Sequence, residues 1–264
     1  MTAIVEFLAL WAAVYVVTFG LYIGFGALLQ WFIHKSPERR IQKGRYGEKR
    51  KWKEIRQSAK SLTATCFCLA AGLFMQYKGW VLFPPLELSW WSVPLMFIVS
   101  IFAFDTWFYW AHRAMHWGPL YKFHAFHHRS VAPTVWSNYS DDLVDAFVMQ
   151  SYYLWAPLIL PIPAVVLIAH RLYDHFNGMI GHCGFEFAAS DLTRIPSPMV
   201  CTLFHDQHHS KFKTNFANFF SFWDRAMGTI DKEYDTGVAH WTAANSRKAT
   251  KADAGEDGTQ AAAT

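Results

Sequence analysis

The sequence predicts an all-α fold: a polytopic membrane bundle of about four to five spanning or hairpin helices, with a histidine-rich cap on its cytoplasmic side. Three observations predict it. Of 264 residues, 53% are hydrophobic and 18% aromatic while only 17% are charged, a balance that suits a bilayer better than the cytosol. Uncharged stretches of spanning length recur along the chain. Eleven of the thirteen histidines fall between His112 and His209, beyond the first three of those stretches.

In chain order, Phe7 to Ile33 runs 27 residues without a charge, more than the about 20 needed to cross a bilayer core. Glu6 precedes it and no basic start does, so the stretch reads as a retained anchor rather than a cleaved signal. His34 to Lys60 then holds eleven Lys or Arg against three Glu, including the run Lys49-Arg50-Lys51. Short positive loops stay cytoplasmic, and this one can also touch anionic headgroups. It accounts for the formal charge of +4 with no nucleic-acid partner. Ser61 to Tyr77 and Leu88 to Phe104 are 17 residues each, the short end of the spanning range, where a buried core helix is the alternative. With a turn around Gly79 to Leu88, the third span returns His112 to the cytoplasmic surface.

The hydrophobic stretch from Leu143 is broken by Pro157, Pro161 and Pro163. Proline interrupts the helical hydrogen-bond ladder, so 143–182 reads as a helical hairpin turning near Pro161 and ending at His182. The organisation expected is anchor helices over 1–104 with the basic loop 34–60, a catalytic region over 105–240, and a disordered tail over 241–264. There is no internal repeat, phosphate-cradling glycine motif or Gly-x-Ser-x-Gly elbow. The protein is expected to be integral and multi-pass, with its site on the cytoplasmic face.

Nine histidines form blocks: His112-x3-His116, His124-x2-His127-His128, His182, and His205-x2-His208-His209. Positions i, i+3 and i+4 share a helix face, so each block turns its imidazoles one way, as multidentate metal binding requires. Nine exceed the about four to six ligands one ion takes, so two metals are expected. A zinc finger is excluded because Cys66, Cys68, Cys183 and Cys201 form no Cys-x2-Cys pair. Glutamate-rich bundle sites are excluded because no Glu-x-x-His occurs. Asp105, one heptad before His112, is expected either to orient a ligand imidazole or to be a helix-end charge at the interface. His175, one heptad before His182, is a candidate tenth ligand or a substrate-facing group. His34 and His170 have no block partners and read as structural or interfacial. Trp107 to Trp110 and Tyr152-Tyr153 read as interface belt and packing.

At this point a family emerges. The ordered pattern Asp105-x6-His112-Arg113-x2-His116, Tyr121-x2-His124-x2-His127-His128, Gly181-His182-x-Gly184, His205-x2-His208-His209, then Asn215 and Phe222-Trp223-Asp224-Arg225-x2-Gly228-Thr229, resembles the fatty acid hydroxylase/sterol desaturase superfamily. The resemblance spans roughly 105–229, and its Trp-Asp-Arg ending is closer to the sterol desaturase branch. It implies two iron ions on the nine histidines, O2 as co-substrate, and oxidation of an unactivated C–H bond in a lipid drawn from the bilayer. Zinc is expected to replace iron readily in purified protein. Hydroxylation is the leading reaction, with desaturation or sterol methyl oxidation as alternatives. With no fused haem domain, electrons are expected from a separate donor of ferredoxin or cytochrome b5 type with its reductase. Such chemistry suits a saturated carbon, which has no acidic proton for acid–base catalysis. The substrate cleft is expected between the hairpin and the span ending at His112, lined by apolar groups, with Tyr152, Tyr153 and Trp155 as candidate walls. Two competitors come from other classes: a metal-transporting protein would carry ligands in mid-membrane, and a haem protein would show a Soret band.

Overall fold

The computed structural model describes residues 2–244. Their regular structure is helical, with no β-strand among the described residues and only two isolated bridges. The helices are α1 (Ala3–His34), α2 (Lys51–Tyr77), α3 (Ser92–Met115), α4 (Gly118–His124), α5 (Leu143–Gln150), α6 (Tyr152–Ile159), α7 (Ala164–Gly181), α8 (Thr202–Lys211) and α9 (Phe222–Ala226). Residues 234–244 are also helical; the rest of the stretch expected to be a disordered tail lies outside the described residues.

Three helices, α1, α2 and α3, are long and apolar enough to cross a membrane. α1 presents Ile4, Leu8, Val16, Val17 and Leu28 to its surroundings, and α3 presents Leu95, Ile98 and Phe102. Apolar faces of that extent belong against lipid. α2 lies inside, burying Leu62, Cys66, Cys68, Leu69 and Phe74. It starts at Lys51, ten residues before the uncharged stretch, so the last ten residues of the expected basic loop are helix. Charged residues are good helix formers, and Arg50 pairs with Glu54 one turn on at 3.2 Å.

α1 and α2 are antiparallel. Glu6, near the start of α1, meets Lys78, just past the end of α2, at 2.6 Å, and the Trp11 indole donates to the Thr63 carbonyl at 3.0 Å. The expected proline-broken hairpin is formed by α5, α6 and α7, with Pro157 inside α6 and the turn at 160–163. That turn sits at the same end of the bundle as Lys78. The Gln76 side chain donates to the Ile162 carbonyl at 2.8 Å, and the Leu82 and Leu86 amides donate to Leu158 and Pro161 at 2.7 and 3.0 Å. The hairpin therefore runs the depth of the bundle, although α7 itself carries His170, Arg171, Asp174 and His175. The expected four to five spanning or hairpin helices resolve into three long apolar ones plus this hairpin.

The hairpin packs closely. At Gly72 of α2, a β-carbon would lie 2.0 Å from the Tyr153 carbonyl oxygen, so only glycine lets α6 come this near. Phe104, Tyr152, Tyr153, Ile162 and Leu167 fill the core between α3, α6 and α7. Tyr152 and Tyr153 are thus fully buried packing groups rather than cleft walls, and Trp155 packs against the same core.

Candidate metal centre

All histidine blocks meet at the end of the bundle opposite the proline turn. His112 lies in the last turn of α3 and His116 caps that helix. α4 ends on His124, a 3-10 turn at His127–Arg129 presents His127 and His128, and His182 caps α7. His205, His208 and His209 occupy one face of α8. The ring nitrogens form two groups, each within 4.8 Å internally: His112, His116, His124, His128 and His208 in one, and His127, His182, His205 and His209 in the other. All nine predicted residues are used. The sequence blocks are not the groups, however: neighbours His127 and His128 part company, as do His208 and His209. The groups adjoin, the rings of His128 and His209 lying 5.1 Å apart.

The outer nitrogens explain the inner ones. His112, His182 and His208 donate Nδ1–H to the carbonyls of Phe216, Gly178 and Thr214, each at 2.7 Å. His124 donates to Asp145 at 2.8 Å, and His127 Nδ1 lies 2.7 Å from Asp141. A neutral imidazole has one N–H, so these rings turn a bare Nε2 lone pair inward. Yet the Nε2 atoms of His112 and His124 are 3.1 Å apart, and those of His127 and His182 are 3.3 Å apart. The first pair has no hydrogen to share, and the second has none while His127 is neutral. Lone pairs at that distance repel unless a cation lies between them, and two ligands about 2.1 Å from one ion at right angles sit about 3.0 Å apart. The donor set thus fits a metal in each group.

Burial keeps the imidazoles neutral. It pushes His116, His124 and His182 down to about 3, helped by neighbouring histidines. His128, His205, His208 and His209 are likewise driven well below the ordinary value, for the same reasons. His127 is the exception: burial lowers it, but the charges of Asp141, Asp145 and Glu54 together outweigh that and raise it.

Two expectations need correction. Asp105 touches no imidazole; its Oδ1 accepts the backbone N–H groups of Asn218, Phe219 and Phe220 at 3.1, 2.6 and 3.3 Å. Seven residues restore the helix face but separate the groups by about 10 Å of depth. Asp105 instead anchors the strand of chain whose Phe216 carbonyl holds His112. His175 belongs to neither group, for the same reason of depth: Tyr139 receives Arg171 Nη2 at 2.7 Å and turns its own hydroxyl to His175 Nδ1 at 2.8 Å.

Sequence reasoning missed Asp141 and Asp145, which sit at the hairpin's start, where Asp142 also caps α5 by accepting the Val144 amide. Nothing in their spacing ties them to histidines; only the fold does. It also missed Glu54, fully buried on α2, which accepts the hydroxyls of Ser130, Thr134 and Ser137 and so fixes the loop after His128. Asp224, noted only as part of a motif, accepts the amides of Phe216 and Ala217 at 2.9 and 2.8 Å. From the basic loop, Arg45 and Gln42 reach Asp206 of α8 at 2.5 and 2.9 Å.

A cavity of about 130 Å³ opens beside both groups, between α3, α5 and α7. His112, His124, His127, His182 and His205 line one side. The lining surface is mostly apolar, as expected, and Gln150, Asp174 and Asn218 are among the polar side chains set into it. Ala146 of α5 lines it; Ala156 is buried in the core.

A helical bundle ending in two adjoining all-imidazole donor groups defines a membrane-type histidine-box protein. The chain belongs to the fatty acid hydroxylase family, which matches residues 97–229, half of its length. It is 31% identical over 161 residues to a C-4 methylsterol oxidase of Schizosaccharomyces pombe, covering 58% of this chain and 51% of that protein. It is 32% identical over 139 residues to a methylsterol monooxygenase of Aspergillus fumigatus, covering 50% and 46%. With a very-long-chain aldehyde decarbonylase of Arabidopsis thaliana it shares 27% identity over 162 residues, covering 57% and 26%. The chain spans about half the length of the methylsterol relatives it matches. No solved structure matches it.

Proposed function

We propose that the chain is a membrane di-iron oxygenase that uses O2 and electrons from a separate carrier to hydroxylate an unactivated C–H bond of a lipid. The observation that carries this reading is the pair of all-histidine groups facing one cavity at the end of an apolar bundle. When bound, two iron ions would supply the redox chemistry that no side chain here can. His112, His116, His124, His128 and His208 would hold one, and His127, His182, His205 and His209 the other. Asp141 and Asp145 orient His127 and His124 by taking their outer nitrogens. The buried core beneath the cavity keeps water from the bundle side.

The electron donor would be of ferredoxin or cytochrome b5 type and dock at the histidine end. That end would be cytoplasmic, because the basic loop binds α8 there through Arg45 and Gln42. Sterol methyl oxidation is the second reading, favoured by the likeness to methylsterol oxidases. Lipid mass spectrometry of a host with and without the gene tests both. A product heavier by one oxygen supports hydroxylation and one lighter by two hydrogens points to desaturation; an unchanged lipid profile with metal-loaded protein present would sink the oxygenase reading.

A further inference from the structure

Exposed tryptophans mark two levels on α3. Trp91 stands at its start and Trp110 nineteen residues on, about 28 Å at 1.5 Å per residue, close to the hydrocarbon thickness of a bilayer. Ile98, Phe102, Thr106 and Trp110 follow one another at four-residue spacing and form an exposed stripe between those levels. Chain from beyond α8 lies against this stripe. The Trp223 indole donates to Thr106 Oγ1 at 3.0 Å, and the Phe220 ring stacks on Phe102 at 4.6 Å. Phe102 is eight residues, about 12 Å, below Trp110, so a non-helical stretch reaches well beneath the tryptophan level. Hydrocarbon tolerates such backbone only where the protein itself satisfies the polar groups. Here seven consecutive amides are satisfied. Asn215 donates to the Thr229 carbonyl, Phe216 and Ala217 to Asp224, Asn218, Phe219 and Phe220 to Asp105, and Ser221 to the Pro198 carbonyl.

Resting on α3 as a membrane span, we propose that two short legs of chain, 198–200 and 218–222, dip into the leaflet on the histidine side as a re-entrant loop whose outer surface is covered by lipid acyl chains. An antiparallel bridge between Met199 and Phe220 holds the two legs at one depth. Met199 and Phe222 are exposed and continue the apolar stripe of α3 sideways, so the surface is an extension of the lipid-facing one rather than a separate patch. In water the amides of 218–220 would need no carboxylate, since solvent would serve them; in hydrocarbon Asp105 is what makes their depth affordable. Charged groups bordering the loop are paired, Arg194 with Asp191 at 2.6 Å and Arg225 with Asp235 at 2.7 Å. The loop also couples the leaflet to the metal centre. Its Phe216 carbonyl holds His112 Nδ1, and the Asn218 side chain donates to Asp174 on the cavity wall at 2.9 Å.

The test places a fluorescent dye on single cysteines, Met199→Cys, Phe222→Cys, Ile98→Cys and Lys232→Cys, in full-length, metal-loaded protein lacking the four native cysteines. The protein sits in phosphatidylcholine nanodiscs, which leave both faces open. Quenching is read with phosphatidylcholine brominated in mid-chain and, separately, with aqueous iodide. Dye at positions 199 and 222 should be quenched by the brominated chains to within about twofold of dye at 98, and at least about fivefold more strongly than dye at the exposed position 232, with iodide giving the reverse order. Lipid quenching at 98 with iodide reaching 199 and 222 would overturn the loop and leave the span standing. Iodide reaching 98 as well would overturn both, while the oxygenase reading is decided separately by lipid mass spectrometry. Should the cysteine-free background not accumulate, unaltered protein is photolysed in phosphatidylcholine carrying a mid-chain diazirine. Lipid adducts on the tryptic peptide 214–225 would support the loop; adducts on α3 with none on that peptide would overturn it.

Discussion

Each of the nine imidazoles is held by an acceptor, a helix end or its neighbours, and that division of labour sets what single substitutions do. His127→Ala and His208→Ala remove one ligand from different groups. Each should cost about one metal ion per chain and abolish oxidation, whereas His175→Ala, outside both groups, should keep the metal content of the unaltered protein. Elemental analysis beside activity checks this; equal metal loss in all three would mean the groups are misassigned. The depressed histidines also predict a pH response of metal-free protein. Seven of them outside α3 titrate below their ordinary value near 6.5, so the unfolded chain takes up protons that the folded one refuses. Their stabilising contribution is complete above about 6.5 and is lost as pH falls below it. His127, raised rather than lowered, acts in a different window: its contribution is complete below about 6.5 and is lost as pH rises above that. The melting temperature of metal-free protein in detergent should therefore drop steeply from pH 7.5 to 5.5, and a flat profile would contradict the buried neutral state. The nine clustered histidines were legible in the sequence because a multidentate imidazole site would demand one residue type at helical spacing. Their partition was not, because His127 and His128 diverge only once the 3-10 turn places them. Asp105 was read on the right face at the wrong depth.

Among the elements, the hairpin of α5 to α7 bears most directly on the site, since it supplies His182, Asp145 and the cavity wall. Its closeness to α2 depends on Gly72, and Gly72→Leu should force α6 away from the Tyr153 carbonyl at a cost of about 1–3 kcal/mol. Gly20→Ala on α1, where a β-carbon meets nothing within 4 Å, should be neutral or slightly stabilising. Thermal inactivation of the two variants side by side checks the contrast, and equal behaviour would mean that α2 and α6 are not in this contact. Proline made the hairpin readable from sequence, since its effect on a helix is local. The start of α2 was misjudged because charge was taken as a sign of loop, while Glu54 turns out to be the buried acceptor for three hydroxyls.

For the whole molecule, the geometry puts the basic loop, the histidine groups and α8 at one end and the Glu6–Lys78 pair with the proline turn at the other. Single cysteines at Lys49 and Trp80 should therefore label from opposite faces of a sealed vesicle, in a background lacking the four native, buried cysteines. Labelling of both from one face would remove the spanning role of α2. The separation of the ligands along the chain has a further consequence, for the order of biosynthesis. Neither group is complete without α8: one needs His208, the other His205 and His209. At about 5–20 residues per second, the ribosome takes roughly 5–20 s to travel from His112 to His209. Throughout that interval any metal the nascent chain picks up sits on an incomplete set of imidazoles and remains exchangeable. On the di-iron proposal, the choice between iron and zinc would thus be left open to the surrounding metal pool until the last helix of the centre has been made.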